Sequence, residues 1–175
     1  MMKFAIYNYI PRRYADKTSF RQQDINRMIL DFKSGRNYAT RWAVRVMAMT
    51  LSALDLSDTV LVSIPAHDPY AHARRYKRFL QLLCKQCNAI NGYDHITIKQ
   101  DRECVHTSRC YDWCTNHAEY VDIDFDFFQG KKVVVIDDIC TTCTTANSFI
   151  SFLQSAGADV CMALFLAKTK RLFVN

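Results

Sequence analysis

Residues 133–145, Val-Val-Val-Ile-Asp-Asp-Ile-Cys-Thr-Thr-Cys-Thr-Thr, limit the possible folds more than any other stretch of the chain. Four branched apolar residues in a row predict a strand buried on both faces. The two acids Asp137 and Asp138 close that strand, and a hydroxyl-rich loop follows. Ala146, Phe149, Ile150 and Leu153 then fall at helical spacing until Gly157 stops the run. Residues 159–167 are a further hydrophobic strand. Strand, helix and strand in succession make a parallel crossover unit, so the chain reads as α/β with a mainly parallel sheet flanked by helices.

The rest of the sequence is consistent with that frame. Residues 3–10 read as an edge strand. Ser19 with Gln22 fits a capping box ahead of Ile25, Met28, Ile29 and Phe32, and Gly35 ends that helix. Tyr38, Trp42, Val46, Met49 and Ala53 mark a second helix. Residues 59–64 form a short buried strand ended by Pro65, and residues 74–90 carry the stripe of a third helix. Residues 95–99 and 120–125 are weaker strand candidates. Between them, residues 100–119 are polar and cysteine-rich without a clean period, long enough to act as a lid. No repeat or linker divides the 175 residues, which predicts one domain, 1–175. Its core is expected at about 30–169, with residues 1–29 as an N-terminal extension.

The segment 133–145 also carries chemistry. A helix start presents unpaired N–H groups and partial positive charge, which suits phosphate. Thr141, Thr142, Thr144 and Thr145 add hydroxyl donors without adding negative charge. Two carboxylates at the carboxyl end of a strand can accept hydrogen bonds from a vicinal diol, and open α/β sheets bind ligands at that edge. A hydrophobic run ending in acids is found in P-loop NTPases too. The chain has only four glycines, Gly35, Gly92, Gly130 and Gly157, and none sits in a P-loop or a Gly-x-Gly-x-x-Gly context.

This pattern of apolar strand, acid pair, apolar pair and Thr-Thr-x-x-Thr resembles the phosphoribosyl pyrophosphate (PRPP) signature of type I phosphoribosyltransferases. The family usually has glycine where this chain has Cys143. Residues 30–36, Leu-Asp-Phe-Lys-Ser-Gly-Arg, and 62–67, Val-Ser-Ile-Pro-Ala-His, resemble the ComF-type, competence-associated subgroup. Arg74-Arg75-Tyr76-Lys77-Arg78-Phe79 sits where that subgroup has Arg-Gly-Phe-Asn-Gln, and the subgroup's cysteine-rich zinc element at the amino terminus is missing. The resemblance implies a type I phosphoribosyltransferase-like fold with a hood or flexible loop at residues 100–119. It also implies that Asp137 and Asp138 bind the ribose hydroxyls of PRPP directly or through Mg²⁺. Residues 141–145, Thr141, Thr142, Cys143, Thr144 and Thr145, would hold the 5′-phosphate. Ala66, His67, Arg74, Lys77 and Arg78 would serve pyrophosphate. The implied reaction transfers ribose 5-phosphate to a nitrogenous acceptor such as a nucleobase, with pyrophosphate released. Homodimers are common in the family.

The alternative is a non-catalytic module of the same kind that senses PRPP or nucleotide, or a ComF-type DNA-handling protein. The net charge of +6 suits an anionic partner without choosing one, and Arg74-Arg75-Tyr76-Lys77-Arg78 mixes cations with an aromatic as single-strand binders do. No recognised nucleic-acid motif accompanies it. No apolar run reaches the ~20 residues that span a bilayer, and the N-terminus lacks a signal-peptide pattern, so a cytoplasmic protein is expected. Its eight cysteines are then expected to be thiols or metal ligands rather than disulfides. Cys84 and Cys87 lie on a predicted apolar stripe, and Cys104, His106, Cys110, Cys114 and His117 do not form paired zinc knuckles. Cys140 and Cys143 flank the phosphate loop, where oxidation is chemically accessible.

Overall fold

Two strand–helix–strand crossovers leave the middle of one parallel sheet in opposite directions, and this divergence shapes the molecule. The computed structural model describes residues 1–99 and 117–170, the side chains of Ala15, His117 and Ala118 aside. Its main sheet has five strands in the order β1–β7–β6–β2–β3, every neighbouring pair parallel. These are β1 (Met2–Tyr9), β2 (Thr59–Ser63), β3 (Ile90–Asn91), β6 (Lys132–Cys140) and β7 (Asp159–Thr169). Two further strands, β4 (Ile96–Ile98) and β5 (Val121–Ile123), pair antiparallel beside it.

Helices cover both faces, as parallel sheets require. On one face lie α1 (Phe20–Lys33), α2 (Asn37–Leu51) and α4 (Arg78–Cys87), packed on Leu61, Val134, Ile136 and Leu164. On the other, α7 (Thr144–Ser155) packs on Val60, Val62, Val133 and Val135. Among the described residues there are also the short helices α3 (Pro69–His72), α5 (His117–Tyr120) and α6 (Phe125–Phe128), and 3-10 turns at Arg12–Lys17 and Tyr93–His95. The run Val133–Ile136 is at most 1 % exposed, because alternate residues serve opposite layers. The α/β architecture expected from that run is the one found.

Several local expectations need correction. In α2 the buried stripe is Ala39, Thr40, Ala43, Val44, Met47, Ala48 and Leu51, while Tyr38 and Met49 are exposed. Small residues won that face because α2 packs tightly against α1 and α4. The third helix begins earlier than its apolar stripe indicates. Asp68 caps it by accepting from the amides of Tyr70 (2.9 Å) and Ala71 (3.3 Å), and Pro69 takes the first helical position. It runs through a π-helical turn at Ala73–Lys77 and stops at Cys87, where Asn88 adopts the left-handed conformation. Ser19 caps α1 as expected, but the Gln22 side chain reaches Asn8 and Asn26 rather than back to the cap. Residues 1–29 supply β1, in register from Met2 opposite Met162 to Tyr9 opposite Thr169, so this extension is part of the sheet.

Phe32 is fully buried where α1 meets α4, 5.0 Å from the ring of Phe79 and 6.0 Å from that of Tyr76. Phe32→Ala is expected to cost about 3–5 kcal/mol of unfolding free energy. Urea denaturation at pH 7 checks this, and a loss below ~1 kcal/mol would show that the three rings do not pack as a unit.

Candidate active site

The crossovers diverge between the parallel neighbours β2 and β6: one carries β2 toward β3, the other carries β6 toward β7 on the opposite face. Such a switch point opens a crevice at the carboxyl ends of the two strands. The predicted loop is at that crevice. A cavity of about 120 Å³ is lined by Asp137, Ile139, Cys140, residues 141–145, Ala146 and Phe165. Residues 133–145 therefore bring one of the two expected acids and all four threonines to one wall.

The wall is rich in donors. The first hydrogen bond inside α7 runs from the Asn147 amide to the Cys143 carbonyl at 2.9 Å, so the amides of Thr144, Thr145 and Ala146 are helix-start donors. Cys143, the residue before α7, offers no side-chain cap to them. The hydroxyls of Thr142 and Thr144 lie 3.0 Å apart, and that of Thr141 lies 3.1 Å from Thr169 on β7. Cys143 has φ 61° and ψ 17°, the left-handed conformation that normally favours glycine. It holds this geometry in a disulfide with Cys140, with Cα atoms 5.2 Å apart. The expectation of free thiols fails here because the loop folds positions i and i+3 to within bridging range. Cys84 is buried and Cys87 half-buried, both as thiols.

The two acids occupy different surroundings. Asp138 is only 4 % exposed and does not line the cavity. Its Oδ2 accepts from Arg75 Nη1 at 2.7 Å and its Oδ1 from the Ile139 amide at 2.6 Å. Arg75 in turn donates through Nε to the Lys33 carbonyl, at the carbonyl end of α1 (2.9 Å). Asp137 Oδ1 accepts from the Tyr76 hydroxyl at 2.7 Å and from the Asp138 amide at 2.8 Å. Its Oδ2 accepts from no described residue. Burial and then the neighbouring Asp138 charge push the Asp137 carboxyl up from its ordinary 3.8 to about 7. Burial and the same two carboxylates push the Tyr76 phenol far above its usual range, so it stays a donor.

Arg75 and Tyr76 were not among the residues expected at the site. They reach it together because the π-helical turn lets two successive side chains face the end of β6. An acid pair buried at a strand end implies a buried cation, and this requirement was the available signal. The expected pyrophosphate residues stand apart from the cavity. Arg74, Lys77 and Arg78 are exposed; Arg74 packs its stem on Gly35, and Arg78 Nη1 donates to Asn37 Oδ1 at 3.3 Å. His67 is exposed. The Ala66 amide donates to His72 Nδ1 at 3.2 Å. His72 is buried, with its ring stacked on Tyr93 at 5.5 Å, and desolvation followed by the Arg75 charge lowers its pKa to about 4.

Among the described residues, no three His, Cys, Asp or Glu side chains converge as a metal cage. The zinc candidates Cys104, His106, Cys110 and Cys114 lie outside the described residues, as do residues 100–116 of the expected hood and the side chain of His117. No helix of the described residues is long and apolar enough to cross a membrane.

No family model matches the chain, and no curated protein does. Among solved structures it is similar to a hypoxanthine phosphoribosyltransferase from Staphylococcus aureus in two crystal forms, at 17 % and 18 % identity with TM-scores of 0.41 and 0.42. Each alignment covers 76 % of this chain, which spans 61 % of that protein's length. It is also similar to a purine phosphoribosyltransferase from Pyrococcus horikoshii Ot3, at 12 % identity and TM-score 0.40, covering 97 % of this chain and 92 % of the other.

Two outcomes are expected. Asp137 binds its proton more tightly folded than unfolded, so the stability this contributes is complete below pH ~4 and is lost as pH rises through about 7. Asp137→Asn carries no such proton; its stability relative to wild type should therefore rise from pH 4 to pH 8 in thermal melts, and a flat difference would refute the raised pKa. Arg75→Met leaves the Asp138 carboxylate buried without its cation and should cost about 3–5 kcal/mol in urea denaturation at pH 7.

Proposed function

We propose that the chain is a phosphoribosyltransferase that binds PRPP at the β6–α7 loop and transfers its ribose 5-phosphate to a nitrogen acceptor, a nucleobase or related compound, releasing pyrophosphate. The observation that carries this reading is the single cavity shared by the Asp137 carboxylate and residues 141–145. A sugar phosphate has an anion at one end and a cis-diol at the other, and this wall offers helix-start amides beside an acceptor carboxylate.

The 5′-phosphate sits on the amides of Thr144, Thr145 and Ala146, with the threonine hydroxyls as further donors. Asp137 Oδ2 accepts from the ribose hydroxyls, and the Tyr76 and Asp138 bonds to Oδ1 fix its direction. Asp138 acts from behind, locked to Arg75. Pyrophosphate leaves the anomeric carbon as the acceptor nitrogen approaches, through an oxocarbenium-like transition state that needs no covalent nucleophile. The ionised Asp137 carboxylate near the ring favours that positive charge, and rigid positioning supplies much of the remaining acceleration. A hard oxygen donor with a free lone pair suits magnesium, which commonly binds through one or two carboxylates plus substrate phosphates. Asp137 is the residue that would hold it, and when bound it neutralises charge on the leaving group. Residues 64–67 follow the carboxyl end of β2, and in this reading the pyrophosphate leaves toward them. In this reading the chain works in the cytoplasm.

A second reading, a PRPP sensor without transfer, is favoured by one observation: the Ala66 amide, a natural pyrophosphate donor, is already bonded to His72.

Calorimetry with PRPP and Mg²⁺ at pH 8 should give binding that Asp137→Asn weakens by roughly a hundredfold or more, the weight of two hydrogen bonds to a charged acceptor. Unchanged affinity in that variant rejects the diol assignment. Pyrophosphate release across a panel of purine and pyrimidine bases separates the two readings: PRPP binding with no base consumed leaves only the sensor.

A further inference from the structure

The phosphate loop contains a second chemistry that PRPP binding does not call on. Cys140 ends β6, Cys143 immediately precedes α7, and a disulfide joins them across Thr141 and Thr142. We propose that Cys140 and Cys143 form a reversible dithiol–disulfide centre whose oxidised state holds the loop in its anion-binding shape. The inference rests on the reading above for its ligand, the 5′-phosphate of PRPP, and on the cysteine pair for its chemistry.

Three observations carry it. Cys143 is held at φ 61°, a conformation that residues other than glycine, asparagine and aspartate rarely adopt. Its only covalent restraint outside the backbone is the bond to Cys140, and Cys140 is anchored, 4 % exposed, against the core under α7. The loop amides that follow Cys143 take their direction from its φ and ψ, since α7 has no side-chain cap to set them. Closing the ring therefore supplies the conformational restraint that a glycine at 143 would make unnecessary.

Access differs between the two sulfurs. Both line the cavity, but Cys143 is half-buried whereas Cys140 is only 4 % exposed. A low-molecular-weight thiolate such as glutathione attacks the Cys143 sulfur, forming a mixed disulfide and releasing the Cys140 thiolate. A second thiolate then attacks the external sulfur, releasing the Cys143 thiolate and a glutathione disulfide molecule. The two protein thiolates take up two protons. Oxidation runs the same exchange backward, with glutathione disulfide as the oxidant. In a reducing compartment such a pair serves as a transient, responsive bond rather than a permanent staple.

Reduction frees Cys143 to leave the left-handed region, and PRPP must then restore that conformation on binding. The expected result is an affinity about tenfold lower for the reduced protein, the weight of one left-handed non-glycine residue. The experiment equilibrates the full chain in glutathione buffers of graded ratio, alkylates the free thiols and counts them at Cys140 and Cys143 by mass spectrometry. Calorimetry with PRPP and Mg²⁺ then compares the oxidised and reduced forms, with circular dichroism confirming that both are folded. A two-thiol transition confined to this pair, together with tighter binding when oxidised, supports the centre. Cys143→Gly cannot form the bond, yet because glycine adopts the loop conformation unaided it should bind PRPP more tightly than the reduced wild-type chain. Equal affinity of the two folded forms overturns the gating alone. A pair that does not re-form from glutathione disulfide overturns the centre itself. Binding of PRPP by neither form overturns the gating together with the functional reading.

Discussion

The buried pair of Arg75 and Asp138 connects the two halves of the molecule. Charges removed from water are tolerated only when their remaining hydrogen-bonding capacity is met. Here the guanidinium bonds to a carboxylate oxygen and a helix-end carbonyl, and the carboxylate also takes a backbone amide. These contacts join the end of α1, the π-helical turn and the end of β6. The position of Asp137 follows from that joint. Its peptide neighbour is fixed, its Oδ1 is held by Tyr76, and its other oxygen is left toward the crevice. Two consecutive acids thus have opposite duties: Asp138 holds the strand end in place, and Asp137 faces the cavity.

Hydrophobic packing supports this arrangement from below. Tyr76 is fully buried, edge-on to Phe32 and Phe79, so its hydroxyl has little freedom. The apolar layer between α1, α4 and the sheet therefore positions a polar contact at its upper margin. Gly35 contributes to the same fit. At φ 73° it closes α1, and a methyl group there would meet the Arg74 stem at 2.6 Å, so the turn between α1 and α2 nests directly on the π-helical segment. Misplacing that segment would move Arg75 and Tyr76 away from the acids.

Legibility in the sequence followed the range of the interactions. The β6–loop–α7 unit could be read because its strand, its acids, its hydroxyls and its helix are contiguous, each with a local signature. The parallel sheet and its flanking helices followed from the same pattern. The inner face of α2 was misassigned because large residues dominate a periodicity count, whereas the contact between helices selected Ala39, Ala43 and Ala48. Arg75 and Tyr76 were hidden for a different reason. Within a basic stretch nothing local separates Arg75 from Arg74 or Arg78, and only a partner 63 positions away does. The disulfide required knowing how sharply the loop turns, which the residue types alone do not determine.

The bond between the Ala66 amide and His72 gives the turn after β2 a resting state of its own. An imidazole that stays unprotonated down to about pH 4 offers its lone pair to that amide throughout the physiological range, so acidity has no hold on this contact. Any guest that needs the amide must compete directly with the ring, and the stacked Tyr93 resists its withdrawal. Engaging this amide is therefore an exchange of one acceptor for another, and only a stronger acceptor than a neutral nitrogen, such as an anionic oxygen, gains by it.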